Sequence, residues 1–293
     1  MKVEKWLKTN AKSLVGKKIA ISGSTGGIGK ETCELLANLG ASLVLIDRNR
    51  ERSLKNAEKI RFRHPQIDVS HVFADMEDMD SVEKAADELS GMDIDILILN
   101  AGAYAIPRHK CSTGYGNVFQ INFISPYFLA RRLLPSLSKR DGKIIAVGSI
   151  AHRYSKTDMG DVDFSSRTRA SLVYGNAKRY LMFSLAELAL REGFSKNVVI
   201  AHPGITFTNI TAHYPKLIYA LIKHPMKVIF MKPKVACLSI IAGIFTSAEG
   251  LSWIGPSVFD VWGIPKTKKL KSASDEERKA IFSVAEKIYA ENS

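Results

Sequence analysis

Between Lys18 and Asp47 the chain packs a complete structural unit into a short stretch. Lys18-Ile-Ala-Ile-Ser22 reads as a buried strand, and Gly23-Ser24-Thr25-Gly26-Gly27-Ile28-Gly29 follows as a turn rich in glycine. Leu35, Leu36 and Leu39 then recur at helical spacing, and Gly40 closes the helix. Ser42 to Ile46 is a second apolar strand, which ends at Asp47-Arg48. Strand, glycine-rich turn, helix, strand and acid in this order make the unit that binds a dinucleotide. Glycine lets the backbone turn tightly and approach a pyrophosphate, whose charge rests at the N-terminus of the helix.

The alternation continues downstream. Glu51 to Arg63 predicts a basic helix, Val69 to Phe73 a strand ending in Ala74-Asp75-Met76, and Ser81 to Leu89 a helix. Asp93 to Leu99 is a near-continuous apolar strand running into Asn100-Ala101-Gly102. A long helix opens at Gln120, another strand-like run begins at Lys143, and Asn197 to Ala201 follows the helix that carries Tyr174. Unbroken apolar strands between helices imply a parallel sheet covered on both faces. The chain has 293 residues, 46% hydrophobic and 24% charged, which allows a sizeable core. No Pro/Gly/Ser-rich linker or repeat divides it, so one domain is expected.

Within this frame Tyr174 and Lys178 stand four apart and share a helix face. A free tyrosine titrates near about 10, and an ammonium beside it is expected to draw that value toward the working range. Ser149, at the end of the run from Lys143, could hydrogen-bond the same reacting oxygen or simply cap a helix. Asn122 reads as a helix residue satisfied by nearby backbone.

Together these motifs resemble the short-chain dehydrogenase/reductase family. The turn is spaced G-x-x-x-G-x-G, with Ser22 where the family usually has Thr. Asn100-Ala-Gly102, Ser149, Tyr174-x-x-x-Lys178 and Pro203-Gly204-x-x-x-Thr208 follow in the family's order. Ser149-Ile-Ala-His152 and the long insertion from Arg153 to Arg169 are similar to its retinol dehydrogenase-like branch, and the resemblance runs from Lys17 to about Ala290. It implies an α/β fold: a single doubly wound Rossmann-type domain over residues 17–293, with a mostly parallel seven-stranded sheet flanked by helices. It further implies a helical substrate lid at about 209–231 and a C-terminal extension at about 255–293; residues 1–16, before it, pattern as a separate amphipathic helix.

The resemblance also assigns roles. Ser149 would hold the substrate oxygen, Tyr174 would exchange a proton with it, and Lys178 would lower the Tyr174 pKa and hold the nicotinamide ribose. Asn122 would order a water linking Lys178 to solvent. Gly23, Ser24, Gly27, Ile28, Gly29, Asp47, Arg48, Asp75, Met76, Asn100, Ala101, Gly102, Tyr174, Lys178, Pro203, Gly204, Thr206 and Thr208 would bind the cofactor. Asp75 is also readable as a turn residue. Asp47 would accept from ribose hydroxyls and repel a 2′-phosphate, whereas Arg48 could pair with one. Residue 26, basic in many NADP-using members, is Gly. NAD(H) is therefore favoured, with NADP(H) as the alternative. The implied reaction interconverts an alcohol and its ketone or aldehyde on a hydrophobic small molecule. Family members commonly form dimers or tetramers through the helices that here carry Asn122 and Tyr174.

Composition narrows the partners. Three scattered cysteines, Cys33, Cys111 and Cys237, give neither a disulfide framework nor a metal cluster. The net charge of +13 is spread along the chain without a nucleic-acid motif, which argues against nucleic acid. Residues 2–14 place Val3, Trp6, Leu7 and Leu14 on one face among lysines, a helix that could lie on a membrane or pack on the body. The basic, apolar segment 209–231 is open to the same two readings, and the run Lys266 to Lys271 reads as a solvated loop. With neither a signal-peptide core nor a spanning segment, the expected place is the cytoplasm, with the periphery of a membrane as the alternative. Two other classes stay open: a catalytically silent dinucleotide sensor, and a membrane-surface protein.

Overall fold

The computed structural model describes residues 3–206, 231–247 and 251–293. Six strands fall on the strand-like runs of the sequence: β1 (Lys18–Ser22), β2 (Ser42–Asp47), β3 (Val69–Phe73), β4 (Ile96–Leu99), β5 (Lys143–Val147) and β6 (Val198–Ala201). β7 (Ser252–Val258) and β8 (Trp262–Lys269) complete one sheet in the order β3-β2-β1-β4-β5-β6-β7-β8. All pairings are parallel except the last.

The sheet thus has eight strands where seven were expected, and the lysine run expected as a solvated loop belongs to β8. The physical reason is twofold. β8 pairs with a single neighbour at the sheet edge, so it can expose charge, and lysines there discourage pairing with other chains. The turn before it, Phe259-Asp260, takes left-handed backbone (φ 49° and 59°) without a glycine to announce it.

The helices are α1 (Val3–Asn10), α2 (Gly27–Asn38), α3 (Arg50–Arg63), α4 (Met79–Ser90) and α5 (Asn117–Phe119). A π-wound stretch, Gln120–Ile124, joins α5 to α6 (Ser125–Lys139). Beyond lie α7 (Ala170–Arg191), α8 (Pro233–Ala236), α9 (Leu238–Phe245) and α10 (Asp275–Glu291). Asn49, Asp78 and Ser274 cap three of them by accepting a backbone N–H of the first turn.

Strand side chains alternate between two cores. Ala20, Val44 and Ile46 face α4, α6 and α7, while Ile19, Ile21, Leu43 and Leu45 face α2, α3 and α9. Val3, Trp6 and Leu7 of α1 join the second core, so this helix uses its apolar face on the protein body. α10 packs along α7 and touches α6 and the π-wound stretch. The chain therefore covers part of the face through which copies were expected to join. The expected lid lies outside the described residues apart from Met231. Among the described residues no helix is long and apolar enough to cross a membrane.

Candidate active site

The glycine-rich turn is held by its neighbours. Ser22 Oγ accepts the backbone N–H groups of Asn100 and Ala101, each at 3.0 Å. Asn100 Nδ2 donates back to the carbonyls of Ser22 (2.9 Å) and Gly23 (3.0 Å). The ends of β1 and β4 are thereby tied together, and Ser22 supplies the hydroxyl this tie needs. Gly23 has φ 71°, and a Cβ on Gly29 would stand 2.0 Å from the Gly23 carbonyl oxygen. Only glycine fits there. Asp47, 5% exposed, accepts from Ser24 N (2.8 Å), Ser24 Oγ (2.6 Å) and Ser53 Oγ (2.7 Å). It braces the turn as well as facing the cleft.

At the other end, three elements converge. β5 delivers Ser149, which caps the short 3-10 turn Ile150–Arg153 by accepting Ala151 N–H at 3.2 Å. α7 delivers Tyr174 and Lys178. Gly175 lets α7 come close, since a Cβ there would lie 2.3 Å from the Ala151 carbonyl oxygen. The Tyr174 hydroxyl shares a hydrogen bond with Ser149. Burial pushes the Tyr174 pKa up to about 12, against the lowering effect of that hydrogen bond. The expected lowering by Lys178 is therefore not seen in this state. Lys178 itself is brought down to about 8 by burial, and its Nζ donates to the Val147 carbonyl at 3.0 Å, 5.9 Å from the Tyr174 ring centre.

Asn122 sits in the π-wound stretch, a kind of irregularity often found at functional sites. Its Nδ2 donates to the Ala103 and Val118 carbonyls, both at 2.8 Å, and its Oδ1 accepts Ala103 N–H at 3.2 Å. A Cβ on Gly102 would lie 2.8 Å from Asn122 Oδ1 and 3.6 Å from Lys178 Nζ, so these three groups meet.

Two clefts share Gly102. One is lined by Gly23, Asp47, Arg48, Asp75, Met76 and Ala101; the other by Ile28, Asn100, Ser149, Tyr174, Lys178, Pro203, Gly204 and Thr206. A dinucleotide fits this pair of clefts: glycine backbone at its middle, an acid and two arginines (Arg48, Arg52) at one end, and Ser149, Tyr174 and Lys178 at the other.

The family model described as short chain dehydrogenase matches residues 17–160. Retinol dehydrogenase 12 of Mus musculus is 29% identical, covering 67% of this chain and 63% of its own length. An uncharacterized oxidoreductase of Schizosaccharomyces pombe is 28% identical over 75% of this chain and 69% of its own. The fold matches the crystal structure of an uncharacterized protein from Mycobacterium paratuberculosis (TM-score 0.74, 22% identity, 96% of each chain). The chain is a short-chain dehydrogenase/reductase. Its relatives set it beside the retinol dehydrogenases.

Not every expected residue of this dehydrogenase family reaches a cleft. Ser24 is fully buried behind Asp47, and Gly29 packs against Gly23. Gly27 starts α2 with φ 52°. Asp75 lines the cleft and also makes the turn, accepting Glu77 N–H at 3.1 Å. Thr208 lies outside the described residues. Tyr104, Tyr154 and Ser171 also line the reaction end, with Tyr104 edge-on to Tyr174 at 5.4 Å. No local motif marked them: Tyr104 and Tyr154 come from loops whose path depends on the whole fold, and Ser171 sits in the first turn of α7.

Glu77, His109 and Cys111 bring ligand-type atoms within 4.8 Å of one another at the rim. Asn117 Nδ2 faces His109 Nδ1 at 3.2 Å, and the same amide nitrogen donates to Pro107 O at 3.0 Å, so the ring proton belongs on Nε2. That nitrogen then donates to Glu77, 3.0 Å away, instead of offering a lone pair to a metal.

Proposed function

We propose that this chain is an NAD(P)-dependent oxidoreductase that interconverts an alcohol and its carbonyl form on a hydrophobic small molecule. The observation that carries the reading is the meeting of Ser149, Tyr174 and Lys178 in a cleft continuous with the glycine-rich turn. The nicotinamide, when bound, supplies or takes the hydride. Ser149 Oγ would hydrogen-bond the substrate oxygen, and Tyr174 would give it a proton in reduction or take one in oxidation. With its pKa raised to about 12, Tyr174 is protonated at neutral pH, the form that donates. The Lys178 ammonium is the cation at hand to favour the phenolate that oxidation requires. Asn122 would hold the segment carrying Gly102 beside Lys178 and support proton exchange there.

The substrate end is lined by Tyr104, Ile150, Tyr154 and Ile205, which suits an apolar alcohol with one polar handle. The mouse relative's name points to retinol, an alcohol of that class. For the cofactor, a buried Asp47 carboxylate opposes a 2′-phosphate, and Arg48 already leans to Glu77 at 3.5 Å. Both features support NAD(H) over NADP(H).

The test pairs titration with turnover. NADH and NADPH are titrated into the wild type and Tyr174→Phe, following energy transfer from tryptophan, and turnover is assayed with apolar alcohols. The expected result is equal, tighter binding of NADH by both proteins, with turnover lost in Tyr174→Phe. Retained turnover would sink the mechanism, and saturation by neither dinucleotide would sink the reading itself.

A further inference from the structure

With α1 packed on the body, the remaining cluster of exposed apolar side chains in the C-terminal region is the tip of the β7–β8 hairpin. Val258 is 45% exposed, Phe259 82%, Trp262 39% and Ile264 48%. Val258 and Trp262 are cross-strand partners, and Val261 N–H closes the turn on the Val258 carbonyl at 2.9 Å. Phe259 and Asp260 both take left-handed backbone, where a bulky side chain is strained. Asn or Gly would serve the turn better. A phenylalanine is kept there at a cost to the fold and almost wholly in solvent.

The tip is held rigidly. Asp260, buried, receives Lys268 Nζ at 2.6 Å and Arg153 Nη1 at 3.1 Å, and its carbonyl accepts from His202 Nε2 at 2.9 Å. Arg153 ends the turn that begins after Ser149, and His202 precedes Pro203-Gly204. The hairpin tip is therefore fastened to both walls of the reaction cleft and stands beside its mouth. Behind the apolar tip, Lys266, Lys269 and Lys271 are exposed, and none is in an ion pair with a described residue.

We propose that this tip is an insertion loop for an anionic lipid surface, with the aromatic and aliphatic side chains entering the headgroup layer and the three lysines pairing with lipid phosphate and carboxylate. Edge-strand protection explains lysines and Pro265 but not four exposed apolar side chains beside them. A protein partner is a poorer fit, because lysine is depleted from protein interfaces whereas apolar tips flanked by lysine suit the membrane interface. Docked this way, the cleft opens toward the lipid, and an apolar alcohol can enter without crossing water. Only that last step rests on the function proposed above; binding to lipid does not require turnover.

The full chain is floated with vesicles of phosphatidylcholine mixed with phosphatidylserine, and with phosphatidylcholine alone, at low and high salt. The expected result is binding to the anionic vesicles at low salt and release at high salt. Phe259→Asn should weaken that binding by about tenfold, the scale of one buried aromatic side chain, while thermal stability holds or rises because Asn accepts the left-handed backbone. Ile264→Ser should weaken binding in the same direction. Absence of flotation with anionic vesicles overturns the proposal. So does flotation of Phe259→Asn equal to wild type, which would move the contact elsewhere on the chain. Self-association lost in Phe259→Asn without any change in lipid binding also overturns it, in favour of a second copy as the occupant.

Discussion

In the mechanism proposed above, Lys178 is the residue whose state most directly sets what the site can do. It is 2% exposed, and burial alone lowers its pKa to about 8. Below that value the ammonium is present; above it the free protein holds a neutral amine. If the ammonium contacts the nicotinamide ribose, dinucleotide affinity should fall as pH rises through about 8. Binding would in turn raise the Lys178 pKa, since a proton that aids the ligand is itself held by it. Titrations on both sides of that pH check this. Lys178→Met should bind more weakly and show no inflection; an inflection that survives the substitution would assign it to another group. Asp47 carries a related lesson. It braces Ser24 and Ser53 as well as facing the cleft, so replacing it with alanine would loosen the turn and not simply change cofactor preference. Arg48→Ala is the cleaner probe of the 2′-phosphate.

Elements explain why some of this was legible in the sequence and some was not. β1, the turn and β2 are local: Gly23 takes left-handed backbone and Gly29 closes on the Gly23 carbonyl six residues away, so the spacing carries much of the geometry. Tyr174 and Lys178 were readable because one helix presents both. Their separation from Ser149 was not readable, because Gly175 does its work across space, against the Ala151 carbonyl. The same holds for β8: its apolar alternation stops at Trp262 and Ile264, both exposed, and its turn uses Phe259 where a glycine would have been seen. The Gly175 contact gives a prediction at this scale. Gly175→Ala puts a methyl group 2.3 Å from backbone that cannot swing aside, so α7 must move. The expected cost is about 1–3 kcal/mol of stability, with a larger proportional loss of turnover as Tyr174 leaves Ser149. Denaturant unfolding and steady-state kinetics together decide it. Wild-type turnover in the variant would mean that the close approach of α7 is not what places Tyr174.

Across the whole molecule, an ion pair with a buried guanidinium joins distant parts of the chain. Arg179, on α7, is nearly inaccessible and meets Glu277 of α10 through Nε at 2.8 Å and Nη2 at 2.6 Å. Burial pushes the Glu277 carboxyl up, but hydrogen bonds from Arg179 and Thr157 outweigh it and bring the pKa down to about 2. Arg179 also donates through Nη1 to the His152 carbonyl at 3.0 Å, and His152 Nδ1 reaches the Ser149 carbonyl at 2.6 Å. A continuous path thus runs from α10 to the serine. Glu277→Ala leaves a buried guanidinium without its partner and should cost about 3 kcal/mol. The double substitution Arg179→Met with Glu277→Ala should cost less than Glu277→Ala alone. Equal losses in the two proteins, measured by denaturant unfolding, would show that the pair behaves like a surface contact.

The same path has a temporal side. Protein chains are made from the N-terminus, and the strands and glycine-rich turn that form the nucleotide cradle are complete well before residue 275 leaves the ribosome. The helix carrying Tyr174 and Lys178 then still has a bare outer flank, and the serine segment still lacks the brace that begins at Glu277. In a growing chain the proposed nucleotide cradle is therefore complete before the brace on the serine, which arrives only with α10.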